Sequence, residues 1–270
     1  MNIEPFGKGD IPSFLTLAAA EGWVAGKWEF DFLLSGFPRG CFVVRDDYGA
    51  AAGYVTSLLH DRSGWIGNLI VAEHLRGRGC GEALFRASVE ALRSAGAQTI
   101  WLTASKSGIH LYEKHDFIQI DTISRWVGTV RGRHGKNCQN KLSKASYDLD
   151  ALAWGDRRMA LLEVTAGRGA VWQNESGFIV LQPCEDTVHL GPFSVLGSRS
   201  AESLFAAAIA SLPGGTKILV DAPMSNRSAS RFFSRRNMAV AGSSALMYAG
   251  KKPDYQPDLL YALATMGSCG

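Results

Sequence analysis

Two stretches of this chain carry the same pattern about 120 residues apart, which restricts it to folds that can be built twice. Glu82-Ala83-Leu84-Phe85 is answered by Glu202-Ser203-Leu204-Phe205 at an offset of 120. Leu111-Tyr112-Glu113-Lys114-His115-Asp116-Phe117 is answered by Phe232-Phe233-Ser234-Arg235-Arg236-Asn237-Met238 at an offset of 121. In both copies an Asx residue, Asp116 or Asn237, follows a short helical pattern. A left-handed cap is needed there, and Asp and Asn tolerate it better than most residues. Matching offset, order and cap are explained by two copies of one fold in tandem. A chain of 270 residues accommodates two domains of ordinary size.

Within the first copy, helix and strand patterns alternate. Asp10–Glu21, after an Asp10 cap, and Lys27–Leu34 read as helices separated by Gly22-Trp23-Val24-Ala25-Gly26. Cys41–Arg45 and Ala52–Leu59 read as strands joined through the turn at 46–49. Trp65–Val71 is apolar on both faces and is expected in the middle of a sheet. Gly81–Ala95 is the clearest helix, with Leu84, Phe85, Ser88, Val89 and Leu92 on one face and Gly96 as its cap. Thr99–Thr103 reads as a buried strand, Gly108–Lys114 as a short helix and Phe117–Trp126 as a returning strand. In the second copy Ser200–Leu212 has helical spacing. The expected class is therefore a mixed α/β fold.

Composition excludes several functions. Apolar residues make up 46% and charged residues 20%, the profile of a packed globular protein, and a net charge of +3 is too small to argue for a nucleic-acid partner. Five scattered cysteines show neither a disulfide framework nor metal-ligand spacing, so no metal is expected and a reducing compartment is. No apolar run approaches a bilayer span, and Phe14–Ala20 lacks the basic region of a signal peptide; a cytoplasmic protein is expected. The stretch 128–146 holds Arg131, Arg133, Lys136, Lys141 and Lys144 with no acidic residue between them. It reads as an interdomain linker or as an arm for an anionic ligand, the linker being the better account.

The chemistry is concentrated in Val71-Ala72-Glu73-His74-Leu75-Arg76-Gly77-Arg78-Gly79-Cys80-Gly81-Glu82. A buried strand enters a basic, glycine-rich turn that opens directly into a helix, which makes an anion site of the helix terminus and the turn's N–H groups. A Walker A loop requires Lys and Ser or Thr after Gly81, and a dinucleotide fingerprint requires glycine where Glu82 stands; both fail. What remains is Arg76-x-x-Gly79-x-Gly81.

That signature, followed about 30 residues later by Leu111-Tyr112-Glu113-Lys114 and Phe117, resembles the GCN5-related N-acetyltransferases (GNAT) over residues 1–127. The whole chain resembles a subgroup with two GNAT folds in tandem, the second degenerate. The resemblance implies a catalytic acyl-CoA-binding domain at 1–127, a basic linker at 128–146 and a degenerate GNAT-like domain at 147–270. It implies a bulge that splays the fourth strand from the fifth, with Leu69, Ile70 and Val71 along the pantetheine arm of acetyl-CoA. Arg76, Gly77, Arg78, Gly79, Cys80, Gly81 and Glu82 would wrap the pyrophosphate. Tyr112 would protonate the departing thiolate. Ser105 stands where many family members carry an asparagine that bonds CoA, whereas the second half keeps that residue as Asn226 and has Phe233 in place of the tyrosine. At the offset of 120 the second loop reads Leu196-Gly197-Ser198-Arg199-Ser200-Ala201, with Pro192 interrupting the strand ahead of it. This half is not expected to bind CoA in the usual way.

The implied activity is acyl transfer from acetyl-CoA, or a related acyl-CoA, to a small-molecule or peptide amine. The alternative is a non-catalytic acyl-CoA-binding regulatory protein acting through its second domain. Trp23, Glu29 and Asn68 are candidates for the acceptor site, and the general base is open among Glu29, Asp31, Asn68 through a water, His60 and His110. Each has a plain structural alternative: Trp23 as core, Glu29 and Asp31 as solvated helix charges, Asn68 as a partner for buried backbone. Cys80 fits better as a small packed residue than as a nucleophile. A homodimer is compatible with this reading.

Overall fold

A computed structural model of the chain describes residues 2–46, 48–130 and 139–270. Arg131, Arg133 and Lys136 of the basic stretch lie outside the described residues. Among those described are eight α-helices and twelve strands. They form two compact units, one reaching to Leu102 with Cys269, the other Thr103–Ser268 with Gly270.

The first unit comprises β1 (Ile3–Pro5), α1 (Ile11–Ala20), α2 (Lys27–Gly36), β2 (Phe42–Arg45), β3 (Ala51–Leu59), β4 (Ser63–Val71), α3 (Cys80–Ser94) and the start of β5 (Thr99–Ala104). Its sheet order is β1-β2-β3-β4-β5, antiparallel except for the β4–β5 pair. β4 is thus an interior strand, which is why Trp65–Val71 is apolar on both faces. Phe6, Phe14, Phe30 and Tyr54 meet in one aromatic cluster, with the Phe14 and Phe30 ring centroids 4.4 Å apart. Asp10 precedes α1 but does not cap it through its side chain. Its carboxylate accepts from the Gly7 N–H at 3.0 Å and from Arg45 at 3.1 Å instead. α3 buries Leu84, Phe85, Ser88 and Leu92, and Gly96 ends it at φ 92°, with the Ala97 N–H donating back to the Leu92 carbonyl.

The second unit comprises α4 (Ile109–Glu113), β6 (Ile118–Thr129), α5 (Lys144–Trp154), α6 (Met159–Arg168), β7 (Ala170–Asn174), β8 (Gly177–Cys184), β9 (Thr187–Val195), α7 (Ser198–Ile209), β10 (Lys217–Pro223), α8 (Arg227–Ser234), β11 (Ala239–Gly250) and β12 (Leu260–Ala262). Its main sheet runs β11-β6-β10-β9-β8-β7, and β12 pairs with β9. The repeat reappears in β6 and β11, which are offset by 121 residues at both ends. These equivalent strands pair antiparallel with each other, Ser124 opposite Ser243. β6 pairs on its other edge with β10, Val220 opposite Trp126. Both ladders of β6 therefore go to second-half strands, and the compact units part ahead of β6, upstream of residue 127. Asp116 (φ 64°) and Asn237 (φ 57°) both occupy the left-handed region. The following N–H groups, of Phe117 and Met238, donate to the Tyr112 and Phe233 carbonyls at 3.2 Å in both copies.

Pro192 does not interrupt its strand. β9 continues from Thr187 to Val195, and Pro192 falls at an irregularity of its ladder with β8. The core of this unit gathers Phe193, Phe205, Phe232, Phe233 and Tyr261. Asp150 and Arg158 form a fully buried ion pair at 2.7 Å, and the guanidinium lies 4.4 Å from the Trp154 ring centroid.

Candidate functional site

The first feature of the site is a defect in β4. Along the β3–β4 ladder Tyr54 faces Ile70 and Thr56 faces Gly67, so Asn68 and Leu69 together oppose Val55. Asn68 takes φ 55°, and its Nδ2 donates to Thr56 Oγ1 at 3.1 Å. This is a β-bulge. On the other edge, the parallel ladder to β5 runs from Ser63–Thr99 to Ile66–Leu102 and ends immediately before the bulge. The bulge thus stands where the resemblance requires a splay. Leu69, Ile70 and Val71 lie on the segment of β4 past the end of that ladder.

The second feature is the turn leaving β4. Eight residues separate Val71 from Cys80. Gly77 (φ 73°) and Gly79 (φ 80°) are both left-handed, a conformation that favours glycine. A Cβ on either would meet no protein atom within 4 Å, so the space in front of the turn is open. The N–H groups of Gly77, Arg78, Gly79, Cys80 and Gly81 donate to no group among the described residues. A run of unused donors at the positive end of a fifteen-residue helix fits a pyrophosphate. Arg76 holds the turn in place: its Nε donates to the Val71 carbonyl at 2.9 Å, and its Nη2 pairs with Glu21, the residue that ends α1. Its guanidinium thereby shapes the turn that is expected to wrap the pyrophosphate. Arg78 and Glu82 are exposed, while Cys80 is buried at the first position of α3, as suits packing.

In the second unit, Tyr112 lies on α4, buried, with its ring centroid 6.2 Å from that of Phe117. Burial pushes its phenol up to about 12. Ser105 is exposed in the turn before α4, and its Oγ lies 3.1 Å from that of Ser107. A Cβ added to Gly108 would lie 3.3 Å from the Tyr112 ring and 3.4 Å from Ser105 Oγ. The two side chains thus converge on Gly108.

The acceptor-site candidates have differing surroundings. Trp23 is 42% exposed and is not core; its backbone N–H donates to the Ala18 carbonyl at 2.9 Å. Glu29 is not a solvated helix charge: it is 7% exposed, among Phe30, Leu33 and Leu34 on the inward side of α2. Asp31 is such a charge, paired with Lys27 at 2.6 Å, and the hydrogen bond from Lys27 lowers its pKa. His60 sits in the β3–β4 turn, and His110 is exposed with Nδ1 3.2 Å from Glu113.

The second-half turn differs from the alignment at an offset of 120. It is not an altered copy of the eight-residue turn. Only Leu196 and Gly197 separate β9 from α7, and Gly197 is extended at φ −177°. Sequence reasoning also missed Glu21 and Thr56 as partners of Arg76 and Asn68. Their separations, 55 and 12 residues, leave no local signal.

Comparison with known proteins agrees with this geometry. The model of the acetyltransferase (GNAT) family matches residues 14–117, and that of an acetyltransferase (GNAT) domain matches residues 147–262. A candidate acetyltransferase from Pyrococcus horikoshii superposes with a TM-score of 0.85 at 22% identity, covering 100% of this chain and 95% of that one. A GCN5-related N-acetyltransferase from Sphaerobacter thermophilus does so at 0.65 and 18%, covering 94% and 98%. Holothin acyltransferase of a Pseudoalteromonas strain is 23% identical over 268 residues, covering 92% of this chain and 88% of its own. Among the described residues no helix is long and apolar enough to cross a membrane, and no three His, Cys, Asp or Glu side chains gather as metal ligands. Two family matches, one in each half, and a fold shared over the full length lead to one conclusion: the chain belongs to the GNAT acetyltransferase family and carries two GNAT domains in tandem.

Proposed function

We propose that this chain is an acyl-CoA-dependent N-acyltransferase whose first half holds the acyl donor and whose acceptor is an amine. The observation that carries the reading is the row of unused N–H donors from Gly77 to Gly81 at the start of α3, following a strand whose ladder to β5 ends at the Asn68 bulge. Acetyl-CoA or a close acyl-CoA supplies an activated thioester. The turn from Arg76 to Glu82 takes the pyrophosphate, Leu69, Ile70 and Val71 offer strand backbone to the pantetheine arm, and an N–H of that strand polarises the reacting carbonyl. Ser105 is assigned a further hydroxyl contact to the donor.

Tyr112 is assigned to the departing thiolate. A thiol titrates near 8.5, and Tyr112 is held at about 12. Complete proton transfer from the phenol is therefore uphill, and Tyr112 acts by donating a hydrogen bond as negative charge builds on sulfur. Trp23, Glu29 and Asn68 remain assigned to the acceptor side. We take 1–127, 128–146 and 147–270 as the catalytic domain, linker and degenerate domain, and the cytoplasm as the location. The free thiols of Cys41, Cys80, Cys184 and Cys269 are in keeping with that location.

The test is CoA release from acetyl-CoA across a panel of amines, amino acids, polyamines, aminoglycosides and peptides, with holothin included because the curated relative bears its name. Amine-dependent CoA release with an acylated product supports the reading. Tight acetyl-CoA binding without transfer to any member would favour the regulatory alternative, and absence of binding would exclude both.

A further inference from the structure

The second half contains the same fork in its sheet as the first, and the fork is filled. On β9, Gly191 and Pro192 together oppose Val180, just as Asn68 and Leu69 oppose Val55 on β4. The parallel ladder from β9 to β10 ends at His189–Leu219, just before this bulge, as the β4–β5 ladder ends at Ile66. Past the bulge, Phe193 and Ser194 correspond to Ile70 and Val71. They do not face an open edge: Phe193 pairs with Ala262 and Ser194 with Leu260, both on β12. One residue on, the Leu263 N–H donates to the Asp221 carbonyl of β10 at 2.9 Å. The segment therefore bonds to both arms of the fork.

Side chains hold it as well. Asn226 stands 121 residues after Ser105, the position to which the resemblance assigns an asparagine that bonds CoA, and it is fully buried. Its Oδ1 caps α8 by accepting from the Ala229 N–H at 2.8 Å. Its Nδ2 lies 2.8 Å from the Leu260 carbonyl and 3.0 Å from that of Pro257. Gln182 Nε2 donates to the Ala264 carbonyl at 2.8 Å. Leu260 through Ala264 are at most 1% exposed, and a Cβ on Gly191 would lie 2.0 Å from the Leu263 carbonyl oxygen. The strand is packed so closely that residue 191 has no room for a side chain.

We infer that the segment Pro257–Ala264 is a permanent intramolecular ligand of the second domain, occupying the cleft that corresponds to the acyl-CoA cleft of the first. The inference rests on the reading of the first-half cleft as the donor site. It makes the second domain a scaffold that needs no small molecule to close its core, and it retains Asn226 for the chain's own backbone. It is an occupant and not a gate.

Hydrogen exchange on the full chain, with and without saturating acetyl-CoA, tests this. The Leu260–Leu263 amides should fall in the slowest class, with those of β9 and β10, and should be unaffected by acetyl-CoA. The variant Gly191→Ala should lose protection at Leu260–Ala264 while α7 keeps its own, because the added methyl takes the place of the Leu263 carbonyl. Fast exchange of the segment in the unaltered protein, or release of it by acetyl-CoA, overturns the inference. If Gly191→Ala fails to fold, the unaltered protein alone decides. Acetyl-CoA stoichiometry on the same samples is expected near one per chain. A value of zero would overturn the proposed function, while segment protection would still decide whether the fork is filled.

Discussion

The two halves share a sheet fork and a capped short helix, and they differ in the chain that leaves the fork. In the first half eight residues with two left-handed glycines lead into α3, leaving donors unused and space in front of them. In the second, two residues lead straight into α7, and the fork is occupied by β12. On the proposed reading, one fold yields either a donor site or a self-filled core, depending on whether the turn is long enough to cradle an anion and whether the chain supplies its own strand. Charge divides the halves in the same way. At the last rung of the parallel ladder the first half has Ile66, and the second has His189, buried beside Asp221, Arg125 and Arg168.

The largest effect expected from this contrast is at Gly79. A left-handed conformation costs a side-chain-bearing residue about 1–2 kcal/mol, roughly 5–30-fold in affinity, before any clash with the phosphate. Gly79→Val should abolish acetyl-CoA binding by calorimetry, while Gly197→Val, at an extended position, should leave it unchanged. Equal effects at the two positions would break the comparison.

The next effect is pH-dependent and belongs to the second half. Burial, opposed by Asp221 and reinforced by Arg125 and Arg168, lowers the His189 imidazole from 6.5 to about 4. The folded state holds it neutral, and the unfolded chain protonates it first. Its contribution is therefore fully present above about pH 6.5 and is lost as pH falls towards 4, amounting to about 3 kcal/mol. Urea midpoints should drop over that window, and His189→Asn should flatten the drop. A midpoint that rises on acidification would have the wrong sign.

The smallest effect is at the tyrosine. Tyr112→Phe should lower kcat by roughly 10-fold, less than the ~10²–10⁴-fold typical of a positioned acid, because a phenol at about 12 stabilises the thiolate without surrendering its proton. Acyl-CoA affinity should be nearly unchanged. Phe233→Tyr should restore nothing, since a hydroxyl is of use only where a donor binds. Steady-state kinetics on both variants separates these roles, and an unaltered kcat for Tyr112→Phe would reduce that ring to packing.

Local patterns in the sequence determined much of this protein: the repeat, the two Asx caps, the apolar β4, the α3 face with its Gly96 stop, and the glycine-rich turn. These are near-neighbour properties, governed by side-chain period and by the φ a residue tolerates. Tertiary structure alone decided that Asp10 serves Arg45 instead of α1, that Glu29 is buried, and that Arg76 braces the turn against Glu21. It also decided that β6 pairs with second-half strands on both edges, and that a short run near Leu260 completes the second core. Each depends on partners that the chain brings together from far apart. Neither hydrophobic period nor turn chemistry records which distant edge a strand will join.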